Sequence, residues 1–400
     1  NTVVSVLDGL ANKGRAFMVV EPAKTEYVDW ALQYNAKIRE YNKSNPNDKK
    51  KEIKIFIPGC GRYINKDAKA EQNNYFIPDI LGINPFEVIN LGGNEPRTLS
   101  HIDRLKATFA SAFPMQDILP VVMEHLLYLL YDDKKDLLNP ANAKSLDFPQ
   151  ISDVNDDLVD ELMMNLGYAK ENTQNISAAL RTRFNSLMYG WKKDLLNNKT
   201  ICGKIWNDEK NEYVNSSLSW DDLFGNPCVI NLSYAGDDQD RAFIMSLLLQ
   251  FLYEYRIAET EKSGYSFSSN KCKHLVVVEE AHRIMAKCDN PELPQYKSGQ
   301  MFSNFLSEVR AYGQGMMIVD QVPSRLIEDA IKNTNIKIIH KLVAADDASQ
   351  IAECIGLTDD QKKVIAKLSV GQAILAGFNS TNIRSGDSSD IFLAQINPMK

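Results

Sequence analysis

Four hundred residues with a 44% hydrophobic share are enough to bury a sizeable core and to divide into two or three domains. A net charge of −7 excludes a chain whose whole surface clamps nucleic acid or anionic membrane, though not one that touches phosphate through a few residues. No apolar run reaches the roughly 18 residues needed to span a bilayer, and the six cysteines never form a Cys-x-x-Cys pair, which excludes the common zinc frameworks.

Along the chain, apolar residues at 3, 4, 6, 7 and 10 mark one face of an opening helix. Ala16 to Val20 form a buried strand that ends in Glu21-Pro22-Ala23-Lys24. The basic run Lys49-Lys50-Lys51 follows the loop signature Asn45-Pro46-Asn47-Asp48 and reads as a solvated surface loop. A strand at 53–57 comes next, closed by Pro58-Gly59. Up to about residue 95, helix and buried strand alternate as in a parallel sheet.

From about 97 to 200 the signal is helical alone. Leu105, Phe109, Phe113, Ile118, Val121, Val122, Leu126, Leu127 and Leu130 recur at helical spacing, and a second block runs from Leu158 to Leu187. Both stripes read as bundle core. Residues 201–226 are polar and irregular, with room for a short hairpin. The sheet resumes at Cys228-Val229-Ile230-Asn231-Leu232, where Cys228 serves as a small hydrophobe, as does Cys272 further on. Asp237 and Asp238 then offer capping oxygens to a long helix carrying Phe243, Leu247 and Phe251. Residues 264–270, rich in Ser and Gly, and residues 287–298, with Pro291 and Pro294, read as loops.

The most informative stretch is His274-Leu275-Val276-Val277-Val278-Glu279-Glu280-Ala281-His282. A β-branched run of this length suits a strand buried on both faces, and carboxylates at its carboxyl end sit where α/β folds place their ligands. Two acids with different neighbours can divide the labour of holding a cation and polarising a water. The same pair also suits an acidic helix start. About thirty residues on, Ser307 to Gly315 is a helix ending at glycine. The strand Met316 to Asp320 follows, with the amide of Gln321 at its tip. Further strands are expected near 335–341 and at 368–375.

The valine run with its paired acids resembles a Walker B motif, and the order Arg310, strand, Gln321 behind it is that of RecA-like motor ATPases. The chain is similar to the HerA/FtsK superfamily of hexameric DNA-pumping ATPases, above all its HerA-like branch. The ATPases of conjugation and type IV secretion are close relatives. Ala16 to Tyr27 is similar to the family's strand ending in Asp-Pro-Lys-Gly-Glu-Tyr, with Glu21 in place of Asp and Lys24 retained. Ile83-Asn84-Pro85-Phe86 resembles its Asn-Pro-Phe element. Ile331 to Thr334 with 336–342 looks like its next helix end and strand, and Gly371-Gln372-Ala373 is similar to its closing strand. No Gly-x-x-x-x-Gly-Lys-[Ser/Thr] occurs in the 400 residues. The family's helix with an Asn-Thr-Val start directly follows that loop, so the resemblance implies a chain that opens just after its P-loop.

The resemblance implies an α/β fold: a RecA-like P-loop NTPase core with a mainly parallel sheet, in residues 1–96 and 201–400, and an inserted all-helical subdomain in 97–200. It implies ATP and Mg²⁺ as cofactors. Glu279 would serve the metal, Glu280 the attacking water and Gln321 the γ-phosphate. Arg310 would serve a neighbouring subunit's site, and Gly371 and Gln372 the nucleotide. Glu21 and Lys24 would support rather than react, and His282, with no second His at i+4, would cap the turn without a zinc role. The implied function is a cytoplasmic ring motor, a homo-hexamer, that translocates or unwinds double-stranded DNA, with a nuclease or other effector as partner and antiviral defence as one setting. A conjugation or secretion ATPase and a slow regulatory ATPase scaffold are the alternatives.

Overall fold

The computed structural model describes residues 2–64, 75–91, 97–114, 118–132, 137–138, 147–207, 209–263, 272–377 and 391–396. The Ser/Gly-rich residues 264–270 lie outside them. The chain opens with α1 (Thr2–Asn12), β1 (Ala16–Glu21), α2 (Glu26–Ser44), β2 (Lys54–Phe56), the short pair β3 (Tyr63–Ile64) and β4 (Tyr75–Phe76), and β5 (Ile80–Gly82). Helices follow: α3 (Thr98–Ala112), α4 (Leu119–Asp132), α5 (Asp156–Leu166), α6 (Lys170–Ser186) and α7 (Trp191–Leu196). Then come β6 (Cys202–Asn207), β7 (Glu212–Ser216), α8 (Trp220–Phe224), β8 (Cys228–Asn231), α9 (Asp238–Lys262) and β9 (His274–Glu279). The last part holds α10 (Pro294–Glu308), β10 (Gln314–Val319), α11 (Glu328–Lys332), β11 (Lys337–Ile339), α12 (Ala345–Ile355), α13 (Asp359–Ile365), β12 (Gln372–Ala376) and β13 (Ile391–Gln395).

The central sheet runs β10-β9-β1-β8-β2, and all its pairings are parallel. Valine-rich runs form it because both of its faces are covered. Val276, Val277 and Val278 are all fully buried. Side chains alternate across the sheet. Met18 and Val20 of β1 therefore enter the larger core, with Phe109, Phe243 and Phe251. Phe17 and Val19 enter a smaller core with Tyr27, Trp30 and Leu7 of the flanking helices. The register sets Glu21 opposite Asn231 and Val319 opposite Glu279, so the strands end together along one carboxyl edge.

Between residues 97 and 200 the described residues form helices and one 3-10 turn at Ile151–Asp153. These helices share the larger core with the sheet. Phe109 of α3 lies 5.3 Å, ring to ring, from Phe243 of α9. A buried polar seam runs alongside: His101 Nδ1 bonds Glu254 at 2.8 Å, and the Thr108 hydroxyl donates to Gln250 at 2.7 Å. Asp237 caps α9 by accepting from the Asp240 N–H at 2.7 Å. The first turn of α9 is a junction. Asp238 pairs with Arg283, Gln239 donates to the Ala112 carbonyl at the end of α3, and Asp240 meets Lys192 of α7 at 3.1 Å.

Three expectations need correction. The strand expected near 335–341 does not join the parallel sheet: β11 pairs antiparallel with β12, and β12 with β13, in a second sheet. With only three residues, two of them half-buried, it lacks the doubly buried run a parallel position requires. Residues 294–298 are helix, because Pro294 at the first helical position starts α10. Cys272 is exposed, whereas Cys228 is buried in β8. The hairpin expected within 201–226 is present as β6 and β7 and takes β5 as a third strand. No helix of the described residues is long and apolar enough to cross a membrane.

Candidate active site

The carboxyl edge of the central sheet gathers Glu21, Glu279 and Glu280. Glu279 ends β9, and the next residue turns away from it. Glu280 takes φ 47° and ψ 50°, one of two non-glycine residues with positive φ among those described. Such a conformation costs about 1–2 kcal/mol and persists only where its surroundings hold it. The turn sends two neighbouring carboxylates in different directions.

Glu279 points toward β1 and α2, where the Tyr27 hydroxyl donates to its Oε1. Burial pushes its carboxyl up, while the Tyr27 bond and the charge of Lys24 pull it back. Glu21 lies behind it, 1% exposed. Its two oxygens accept from the Glu26 N–H at 3.1 Å and the Asn231 side-chain amide at 2.8 Å. Burial raises its ionisation to about 8 against the Asn231 bond, and repulsion from Glu279 adds to the rise. At neutral pH Glu21 is therefore mostly protonated, which spares the edge a second buried charge. A cleft of about 20 Å³ opens between Glu21, Lys24, Tyr27, Glu279 and Glu280.

Glu280 points the other way. Arg283 Nε and Nη2 both donate to its Oε2, at 2.8 and 2.7 Å. Asp320, at the tip of β10, ties the two strand ends together. Its Oδ2 accepts from His282 N and Nδ1, each at 2.8 Å, and its Oδ1 from the Val322 N–H at 2.9 Å. His282 thus caps the turn, as its position implied. Gln321 follows Asp320 and is exposed.

Two sets of expected residues lie elsewhere. Arg310 is exposed in the 3-10 turn Val309–Tyr312 that precedes β10, whose first residue Gln314 pairs with His274. The length of β10, at about 3.3 Å per residue, separates it by roughly 20 Å from the acidic edge. Gly371 and Gln372 begin β12 in the second sheet. Gly371 has φ +84°, and a Cβ there would fall 2.7 Å from the Gln395 amide. The Gln372 side-chain carbonyl accepts from the Ser369 N–H at 2.9 Å. His340 Nδ1 donates to the Gln372 backbone carbonyl at 3.1 Å, and its Nε2 is 2.8 Å from the Thr2 hydroxyl. The closing strand is thereby anchored to the first turn of α1. Sequence reasoning missed Tyr27, Arg283 and Asp320. Tyr27 and Arg283 sit within six residues of a quoted acid and Asp320 directly precedes Gln321, but nothing in the one-dimensional pattern shows which group each of them meets.

Carboxylate oxygens suit a hard cation such as Mg²⁺. Among the described residues, no group of three or more His, Cys, Asp or Glu is placed to hold a metal alone. Such an ion would need only one or two carboxylates beside waters and substrate phosphates.

Glu21 yields a stability prediction. Its ordinary value of 4.5 rises to about 8 on folding, so the folded state holds the proton more tightly. This contribution is complete below pH about 4.5 and is lost as pH rises through about 8. Urea denaturation at several pH values should show unfolding free energy falling over that window by a few kcal/mol. Glu21→Gln should flatten the slope. An unchanged slope in the variant would assign the dependence to other groups.

No family model matches the chain. By sequence it is 31% identical over 151 residues to the DNA double-strand break repair helicase HerA of Sulfolobus acidocaldarius, covering 37% of this chain and 28% of that protein. It is 33% identical over 104 residues to the probable HerA helicase of Methanocaldococcus jannaschii, covering 26% and 20%. The matched stretches thus span only 28% and 20% of these relatives. By fold, VirB4 of Thermoanaerobacter pseudethanolicus aligns over 100% of this chain and 86% of its own, with a TM-score of 0.59 at 13% identity. In sequence the chain is thus similar to HerA helicases over part of its length, and in fold it is like the VirB4 ATPase.

Proposed function

We propose that this chain forms the hydrolytic core of a HerA-type motor, which uses ATP to move along or unwind double-stranded DNA. The observation that carries the reading is the divergence of Glu279 and Glu280 at the carboxyl edge of a parallel sheet, each with its own partner. Two adjacent acids with separate environments suit two separate tasks.

Glu279 would hold Mg²⁺ or a water of its shell. When bound, that ion neutralises charge on the phosphates. Glu280, held through Oε2, leaves Oε1 to orient and deprotonate a water. Gln321, at the exposed tip beside Asp320, reads the γ-phosphate. Gly371 and Gln372 approach the nucleotide from the second sheet, linked through His340 to α1. Arg310 is too far from Glu280 in its own chain to act there, and serves a neighbour's site across a ring interface. DNA enters this reading because the HerA relatives are named as DNA repair helicases. A homo-hexamer in the cytoplasm, working with a nuclease in repair or antiviral defence, completes it.

The test is made on the intact protein. ATP turnover should rise with double-stranded DNA. Mixing Arg310→Ala subunits with Glu280→Gln subunits should restore part of the activity that each variant lacks, because some interfaces then combine an intact Glu280 with an intact Arg310. No recovery in confirmed mixed rings would leave Arg310 a structural residue. Absence of both turnover and DNA binding in the unmodified protein would overturn the reading.

A further inference from the structure

Arg283 lies three residues beyond Glu280, at the end of the 3-10 turn Ala281–Arg283. Its side chain is 15% exposed, and Nε and Nη2 both fall on one oxygen of Glu280, Oε2. Neither contact involves Oε1. The third nitrogen, Nη1, bonds Asp238 in the first turn of α9, and Arg241 holds that same Asp238 oxygen at 3.0 Å.

A glutamate alone on a turn samples several rotamers. One pinned through a single oxygen presents the other in a fixed direction, and a planar guanidinium fork supplies that restraint better than a point charge. The pairing also helps to hold the left-handed backbone at Glu280. Asp238 is 75% exposed, so its own share is smaller.

We infer that Arg283 is the positioning residue for Glu280, anchored to α9 by Asp238. The inference rests on the reading of Glu280 as the group that orients the attacking water. Arg283 touches no reacting atom and acts through Glu280 alone.

The experiment measures steady-state ATP hydrolysis by the intact protein with saturating double-stranded DNA, alongside thermal melting. Arg283→Ala should lower kcat roughly ten- to a hundredfold, the effect of a small misplacement of a reacting group. KM for ATP should change less than about twofold, because binding is untouched. Arg283→Lys keeps the charge without the fork and should recover part of the loss; it carries the test if the alanine variant does not fold. The deciding measurement is made in a Glu280→Gln background with enzyme in excess over ATP. Residues that act as a unit are non-additive, so adding Arg283→Ala there should lower the residual rate no further. A wild-type kcat in a folded Arg283→Ala protein overturns the inference, as does an undiminished loss in the Glu280→Gln background. Normal turnover by Glu280→Gln itself is a different failure: it removes the role given to Glu280, and this inference with it.

Discussion

Glu280→Gln should lower ATP turnover by roughly two to four powers of ten while nucleotide still binds. The exchange keeps the side chain's shape and removes its charge and its proton-accepting oxygen. Arg283 would lose an ionic partner but keep Asp238, so no buried guanidinium is left alone. The local fold should therefore survive. Phosphate release measured beside binding of a fluorescent nucleotide separates the two effects. Loss of both together would mean that Glu280 supports the site's structure, and retention of both would end its catalytic assignment. Glu279→Gln differs in kind, because its Oε1 bond from Tyr27 can persist to an amide oxygen. Its loss should be rescued in part by raising Mg²⁺, where that of Glu280→Gln should not.

The largest loss of stability should come from Phe251→Ala. Phe251 is fully buried on α9, stacked 4.5 Å from the Trp220 ring of α8, with His101 of α3 at 6.0 Å. Removing it opens a cavity where three helices meet, next to the buried His101–Glu254 pair. Truncating a buried aromatic in this way costs about 3–5 kcal/mol. Urea denaturation measures it. Phe392→Ala on β13, at 44% exposure, is the control and should stay within about 0.5 kcal/mol. A cost for Phe251→Ala no greater than the control's would show that the surrounding helices close over the gap.

Much of the fold was legible because burial on both faces writes itself into the chain as uninterrupted apolar runs. Val276 to Val278, Val229-Ile230 and Met18 to Val20 suit inner strands, and they lie side by side. Asp237 and Gly313 announced a helix start and a helix end through local chemistry, and the structure uses both. The strand at 337–339 was visible, but its sheet was not. A three-residue strand carries no mark of its partner, and β12, which pairs with it, comes more than thirty residues later. The paired acids were legible as a pair. Their divergence was not, since it depends on one left-handed residue and on Tyr27, 252 positions from Glu279 along the chain. Arg283 stood three residues from Glu280 in plain view, but a helical reading of that turn gives no reason for both nitrogens to choose one oxygen.

The first turn of α9 binds the helices and the acidic edge into one thermodynamic system. Asp240 is tied to α7, Gln239 to α3 and Asp238 to the arginine that holds Glu280. A ligand that favours one arrangement of the helices over another would then alter the grip on Glu280, and with it the rate of turnover. Reciprocity binds affinities and not rates, so such a ligand can tune hydrolysis without nucleotide having to change the helices' affinity for it by the same factor.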